Sequence, residues 1–367
     1  MQFGLNESQQ LLRDNARKFF AAECPMSEVR RISESETAYD EALWRKMAEQ
    51  GYTGIIFPEE CGGVGLGNVE LILLMEEAGR ALLPGPFFST VALSGALLDA
   101  EATPEQKRNY LAPVCAGTAR STAAILEAGA NWDPASLGMA GGSGKLTGEK
   151  LFVPDAAVAD FLLVVTRDGV FVVDRGDARV GVEPMSAIDS TRKLYSVRFD
   201  DAPAEKLGGP AGNAPALDLA TAALAAEIVG GMQRTLELSV EYAKVRKQFG
   251  KPIGIFQAVQ HLCADMYLET ESARSAAYYA AWALEENAAD ACAAVSIAKM
   301  YASDAGRTVG NRGIQVHGGM GFTRENDLHL YYRRAKASET AFGDAAFHRE
   351  RLARLVIDEP KAKMRGA

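Results

Sequence analysis

The chain has 367 residues, enough for two or three domains of ordinary size. Hydrophobic residues make up 48% and charged residues 24%, so a large core can be buried and disorder is excluded as the main state. Thirty-nine Lys and Arg against 48 Asp and Glu leave a formal charge of −9, which argues against non-specific nucleic-acid binding. The five cysteines are widely spaced and form no CxxC pair or Cys/His ligand cluster, so neither a disulfide framework nor a metal site is expected. They read as small buried hydrophobes. The N-terminus lacks the apolar core of a signal peptide. The most apolar stretch, 217–229, is interrupted by Asp218 and Glu227 and reads as too short for a bilayer. A reducing, cytoplasmic location without a membrane partner is expected.

Residues 1–120 read as a helical domain. Asn6 and Gln9 form a capping pair, and Leu11, Leu12, Ala16, Phe19 and Phe20 then fall on one helical face. Gly62, Gly63, Gly65 and Gly67 look like a dinucleotide loop but follow no clear strand, so a tight connection between helices is the better reading. Residues 121–212 change to a strand period. Segments 146–154, 161–167, 170–173 and 193–200 read as strands, with Asp168-Gly169 as a hairpin turn. Turn residues recur at the spacing of a small β-barrel or sandwich. Residues 213–367 are helical again, with stretches near 254–286, 289–310 and 325–357 predicting an antiparallel four-helix bundle. The fold class is therefore α+β, in the order helical, β, helical. Trp44 and Trp282 read as core, and His261 and His329 as exposed or partly buried helix positions.

Two stretches are more polar than a bundle requires. Lys244, Arg246, Lys247 and Lys251 cluster where one helix stops, with Gly250 and Pro252 breaking it. Cations commonly complement a helix C-terminus, but an anion site is also readable, Arg246 reaching a phosphate and Phe249 stacking on a planar ring. In the second stretch Gly318, Gly319 and Gly321 follow Gln315 and His317, and paired glycines let a ligand approach the backbone. Spacing alone stops at an anion or nucleotide site.

The segments RKQFGKPIGIFQAVQHLCADM (246–266) and IQVHGGMGFTRENDLHLYYRRAK (314–336) closely resemble two signature segments of the acyl-CoA dehydrogenase family. The resemblance covers essentially the whole chain and is most specific over its last 150 residues or so. It implies FAD held without a Rossmann fold at an interface between subunits, in a dimer or tetramer. Arg246 and Phe249 match residues that hold the pyrophosphate and adenine half of a neighbour's FAD. Gln315, Gly318 and Gly319 match the segment contacting the same cofactor from the same side. Arg suits a pyrophosphate better than Lys because its fork of donors fits two oxygens.

The implied chemistry is α,β-desaturation of an acyl-CoA thioester. A carboxylate takes the α-proton while the β-hydrogen leaves as hydride to flavin N5, and a backbone N–H, here that of Gly343, helps polarise the thioester carbonyl. An electron-transferring flavoprotein is the implied acceptor. The family's base stands in Tyr-Glu-Gly, whereas this chain reads Phe342-Gly343-Asp344; the alternative base position matches Ala220. Asp344 is the nearest acid, readable as a displaced base or as the N-cap of the following helix. His348, four residues on, is placed to pair with it.

Other family features are altered. Residues 126–133 lack the hydroxyls of the family's Thr-Glu-x-x-x-Gly-Ser-Asp, and Thr221 replaces a common arginine. Phe152 keeps an aromatic ring where Lys-x-Trp-x-Thr packs on the flavin, but Pro154 removes the hydroxyl. Such a pattern resembles the small subunits of two-component acyl-CoA dehydrogenases acting on pimeloyl-CoA or sterol side chains. Two readings follow: an active dehydrogenase subunit with Asp344 as base, within a homo- or hetero-oligomer, or a largely non-catalytic partner completing FAD binding for a paralogous chain.

Overall fold

The computed structural model of the protein describes residues 4–142, 144–207 and 213–358. Helices α1 (Glu7–Glu23), α2 (Met26–Glu34), α3 (Glu41–Glu49) and α4 (Asn68–Arg80) open the chain, followed by the shorter α5 (Ala96–Glu101), α6 (Pro104–Gln106) and α7 (Ala112–Cys115). Seven strands come next: β1 (Ser121–Ala124), β2 (Lys145–Pro154), β3 (Phe161–Thr166), β4 (Gly169–Asp174), β5 (Val180–Met185), β6 (Leu194–Pro203) and β7 (Glu205–Leu207). The last part holds α8 (Asn213–Val245), the small strands β8 (Lys247–Gln248) and β9 (Lys251–Pro252), α9 (Gln257–Glu285), α10 (Ala291–His317), α11 (Leu328–Thr340) and α12 (Ala345–Ala353). The helical, β, helical order expected from the sequence is present. The expected boundary at residue 212 lies outside the described residues.

The chain forms two compact units. One gathers the described residues of Met1–Met26, Ile72–Leu83 and Thr221–Ala367; the other gathers Ser27–Leu71 and Pro84–Ala220. In the second unit the strands form two sheets, ordered β1-β3-β4-β7 and β2-β6-β5, with β1 and β3 parallel and the other pairs antiparallel. Side chains from both sheets, including Leu146, Val153, Leu162, Phe171, Val197 and Phe199, share one buried core. The apolar alternation along β2 and β6 supplies one face each, the arrangement of a sandwich. The hairpin turn is displaced by one residue from the sequence reading: Thr166 pairs with Gly169, so Arg167-Asp168 is the loop and Gly169 already belongs to β4.

In the first unit the capping box of α1 is formed, Asn6 Oδ1 accepting from Gln9 N at 2.8 Å. Helices α4 and α8 cross with their backbones touching. A Cβ at Gly230 would lie 1.8 Å from the Glu76 carbonyl oxygen, so only glycine permits this approach. Helix α8 is long enough to cross a bilayer, contrary to the reading of 217–229 as too short, but 78% of its most apolar window is buried inside the fold. The loop through Gly63 packs on its own chain, a Cβ there falling 2.1 Å from the Phe57 carbonyl oxygen, which agrees with a tight connection.

Several expectations are corrected. The stretch 325–357 is broken at residues 341–344 into α11 and α12, because Phe342 and Gly343 adopt positive φ of 57° and 94°. Helix α10 continues to His317, past the expected stop at 310. Trp44 is buried, but Trp282 is half-buried and lies against Tyr279. His329 is buried, with its helix face turned inward. Cys24, Cys61 and Cys115 are buried, Cys263 is intermediate and Cys292 exposed.

Candidate functional site

The first signature segment begins where α8 ends, and a ring stack ties that end of α8 to the second segment. Tyr242, a turn before the end of α8, stacks on His317 at the end of α10, with ring centroids 4.4 Å apart and planes 22° apart. His317 Nδ1 faces the Gly313 carbonyl oxygen at 2.9 Å, and burial lowers its proton affinity, so the ring stays neutral and orients as a donor. The Arg246 N–H closes the helix onto the Tyr242 carbonyl at 2.8 Å, and the β8–β9 hairpin follows directly.

This arrangement leaves the expected ligands outward. Arg246 is exposed, and among the described residues no carboxylate pairs with its guanidinium. Phe249 sits at the tip of the hairpin at φ 52°, 91% exposed. Gln315 is exposed two residues before His317. Gly318 takes φ 60° and ψ −144°, a conformation glycine tolerates, and Cβ atoms at Gly318, Gly319 or Gly250 would meet nothing within 4 Å. Nothing within this unit therefore requires glycine at 319. The open space, the free guanidinium and the projecting ring fit a flat, anionic group such as FAD approaching from outside the chain.

Phe152 lies in the other unit. The β2–β6 register shifts between Lys150 and Val153, and this bulge puts Phe152 at φ 55° with its ring 47% exposed. Just before it, Lys150 is fully buried and donates to the Ile125 and Val165 carbonyls and to Glu127 Oε1 at 2.9, 2.6 and 2.5 Å. Glu127 also accepts from the Gly138 N–H at 2.8 Å, so it anchors the loop between β1 and β2. Lys150 and its hydrogen bonds hold this carboxylate below its ordinary range.

The Phe342-Gly343-Asp344 turn is at the far end of α10. Lys299, whose Nζ reaches it, is 18 residues from His317, about 27 Å along the helix. Asp344 is an exposed N-cap, its Oδ1 accepting from Phe347 N at 2.8 Å. His348 does not pair with that carboxylate as expected; its Nε2 meets the Phe342 carbonyl oxygen at 2.9 Å. At Gly343 a Cβ would fall 2.3 Å from the Phe347 ring, so the space a side chain needs is filled.

Lys299, Phe347 and Tyr242 escaped the sequence reading, and His348 was read with the wrong partner. The signal for Lys299 was present, a lone lysine on the apolar face marked by Val295, Ala298 and Ala302. The roles of the other three depend on contacts between segments.

Comparison with known proteins identifies the family. The acyl-CoA dehydrogenase N-terminal domain matches residues 6–118 and the acyl-CoA dehydrogenase C-terminal domain residues 214–357. Acyl-CoA dehydrogenase IpdE2 of Mycobacterium tuberculosis is 34% identical over 338 residues, 90% of this chain and 92% of that protein. The Tcur3481-Tcur3483 steroid acyl-CoA dehydrogenase, solved as a variant, superposes with a TM-score of 0.88 at 32% identity, covering 97% of this chain and 99% of that one. The ChsE4-ChsE5 complex from Mycobacterium tuberculosis gives 0.89 at 29%, covering 96% and 98%. With its three-part fold, both signature segments in place and these matches along its length, the chain belongs to the acyl-CoA dehydrogenase family.

Proposed function

We propose that this chain is one subunit of a heteromeric, FAD-dependent acyl-CoA dehydrogenase, acting chiefly as the partner that completes the flavin site of a paralogous catalytic chain. Phe347 carries this reading: its ring occupies the space of any side chain at Gly343, the position matching the family's glutamate. The nearest acid, Asp344, is spent on capping α12. The other matching position, Ala220, is buried and carries no carboxylate.

Arg246 would bind the pyrophosphate, Phe249 would cover the adenine half, and Gln315 with the 318–319 backbone would close the same side. FAD, when bound, would supply the hydride acceptor for desaturation between Cα and Cβ of the thioester. The base would come from the paralogous chain, and an electron-transferring flavoprotein would take the electrons. A steroid acyl-CoA dehydrogenase among the similar structures favours an acyl-CoA of steroid origin. The division 1–120, 121–212 and 213–367 is retained as the proposed domain plan.

Co-expression with a paralogue bearing an intact Tyr-Glu-Gly tests the reading. The complex is expected to be yellow and active, Arg246→Ala is expected to release FAD, and Asp344→Asn is expected to leave turnover within about twofold. Loss of turnover in Asp344→Asn with FAD still bound would overturn the partner role and make Asp344 the base.

A further inference from the structure

Helices α8 and α9 leave a groove open between them. Its volume is about 530 Å³, with Leu236, Val240 and Lys244 of α8 on one side and Cys263, Ala264 and Tyr267 of α9 on the other. On α8 the lining residues recur every three or four positions from Gln233 to Lys244, a single stripe along one helical face. Eleven residues of helix span about 16 Å, or three turns, so the groove is a trough of helical length.

Its chemistry is that of an unfilled packing surface. Tyr267 is 59% exposed and its neighbour Leu268 64%. Burying such side chains is favourable, and contiguous apolar surface marks an interaction site. The carboxylates of the groove ask little of an occupant. Glu237 is neutralised from within, by Arg80 at 2.5 Å and Arg234 at 3.1 Å, and it accepts from Gln233 Nε2 at 2.9 Å. Glu241 is exposed, 3.6 Å from Arg234, and forms the rim with Lys244. An apolar floor with a polar, largely compensated edge has the make-up of an interface core and its rim.

The place of the trough indicates what covers it. Lys244, at its end, stands two residues before Arg246, and the exposed ring of Phe249 follows on the hairpin. A chain that brings a flavin to Arg246 and Phe249 must therefore lie beside the end of the trough. We propose that the α8–α9 groove seats an apolar helix of the paralogous catalytic chain, and that docking there carries the shared flavin to Arg246. A helix laid along the trough sets a ridge of side chains between the two facing rows, the ordinary geometry of helix packing. The inference rests on the heteromeric reading and adds to it the surface through which the two chains meet.

Cys263 reports on the groove directly. It lines the trough and is partly exposed, Cys292 is exposed, and Cys24, Cys61 and Cys115 are buried. Full-length Cys292→Ser protein is mixed with a family paralogue bearing Tyr-Glu-Gly, and the reaction of Cys263 with a chromogenic aromatic disulfide is timed with and without the paralogue. Sedimentation reads the complex and absorbance reads the flavin. The paralogue is expected to slow the thiol about tenfold or more, and Ala264→Arg, which puts a cation in the trough, to weaken association about tenfold or more at an unchanged melting temperature. Tyr267→Phe, which keeps the ring, is expected to associate as the wild type does. Arg246→Ala is expected to lose flavin while keeping both the complex and the slow thiol. A complex in which Cys263 reacts at its free rate, or which Ala264→Arg joins as tightly as the wild type, overturns the groove as the docking surface and leaves the heteromeric reading standing. Protection of Cys263 by a raised concentration of this chain alone assigns the groove to a second copy and overturns the paralogue as its occupant. Absence of any complex between the wild type and the paralogue overturns both.

Discussion

An aspartate that caps a helix and one that abstracts a proton need different surroundings. Asp344 is exposed and accepts from Phe347 N, which suits a cap and keeps the carboxylate in water. Asp344→Ala should therefore cost about 1 kcal/mol of stability, read by urea denaturation, while Asn, itself a good cap, should cost little. Gly343 is constrained more severely. Its φ of 94° and the Phe347 ring 2.3 Å from a would-be Cβ mean that Gly343→Glu cannot simply restore a base. That substitution should destabilise by more than about 1 kcal/mol, and Gly343→Glu with Phe347→Ala should recover part of the loss. Equal melting temperatures for Gly343→Glu and the wild type would contradict this account of the turn. The motif residues, by contrast, were legible because each is named by its chemistry: Arg246 by charge, Phe249 by its ring, and Gly318 by a conformation few other residues tolerate.

Helices place these residues, and buried ion pairs fix the helices. Within the helical unit Arg334 on α11 pairs with Glu227 on α8, both almost fully buried, and Arg274 on α9 reaches Glu76 on α4 at 3.0 Å. Removing one member strands the other charge, so Arg334→Met should cost about 3–5 kcal/mol in urea, far more than Met for both. The 341–344 turn adds a pH dependence. Burial and Lys299 lower His348 from 6.5 to about 4, against a smaller opposing pull from Asp344, with Arg351 also facing it. Burial lowers Lys299 from 10.5 to about 7. In both windows the folded state binds fewer protons than the unfolded chain, so stability rises with pH. Acidification from 6.5 to 4 should lower the melting temperature through His348, and His348→Gln should flatten that slope. Between 10.5 and 7 the same sign holds for Lys299, its cost being fully present below 7.

At the scale of the molecule, α10 separates two functions. The cluster of Arg246, Phe249 and the 318–319 backbone is at its C-terminal end, and the Gly343 turn is held by Lys299 near its start. About 27 Å of helix lies between them, so one chain does not bring its proposed cofactor ligands to its own turn. On the proposed function a second chain completes the site, in keeping with a relative that was solved as a complex of two named components. Mixing this chain with a paralogue carrying the glutamate should give a species larger than either alone in sedimentation, with flavin in about one site per pair. Flavin held in equal amount by this chain alone would instead support a self-sufficient oligomer.

The amino-acid sequence determined the α, β, α order, because apolar periods of 3.6 and 2 residues are local properties, and it determined the family, because long motifs keep their register. It also showed glycine at 343, where the family resemblance leads one to expect a glutamate, since that is plain from the letters. It did not reveal that Phe347 closes that position, that His348 binds the Phe342 carbonyl instead of Asp344, or that Tyr242 clamps the two motifs through His317. Each of those depends on which segments meet and on two backbone angles of positive sign, and neither is written in local pattern. Tertiary packing decided them.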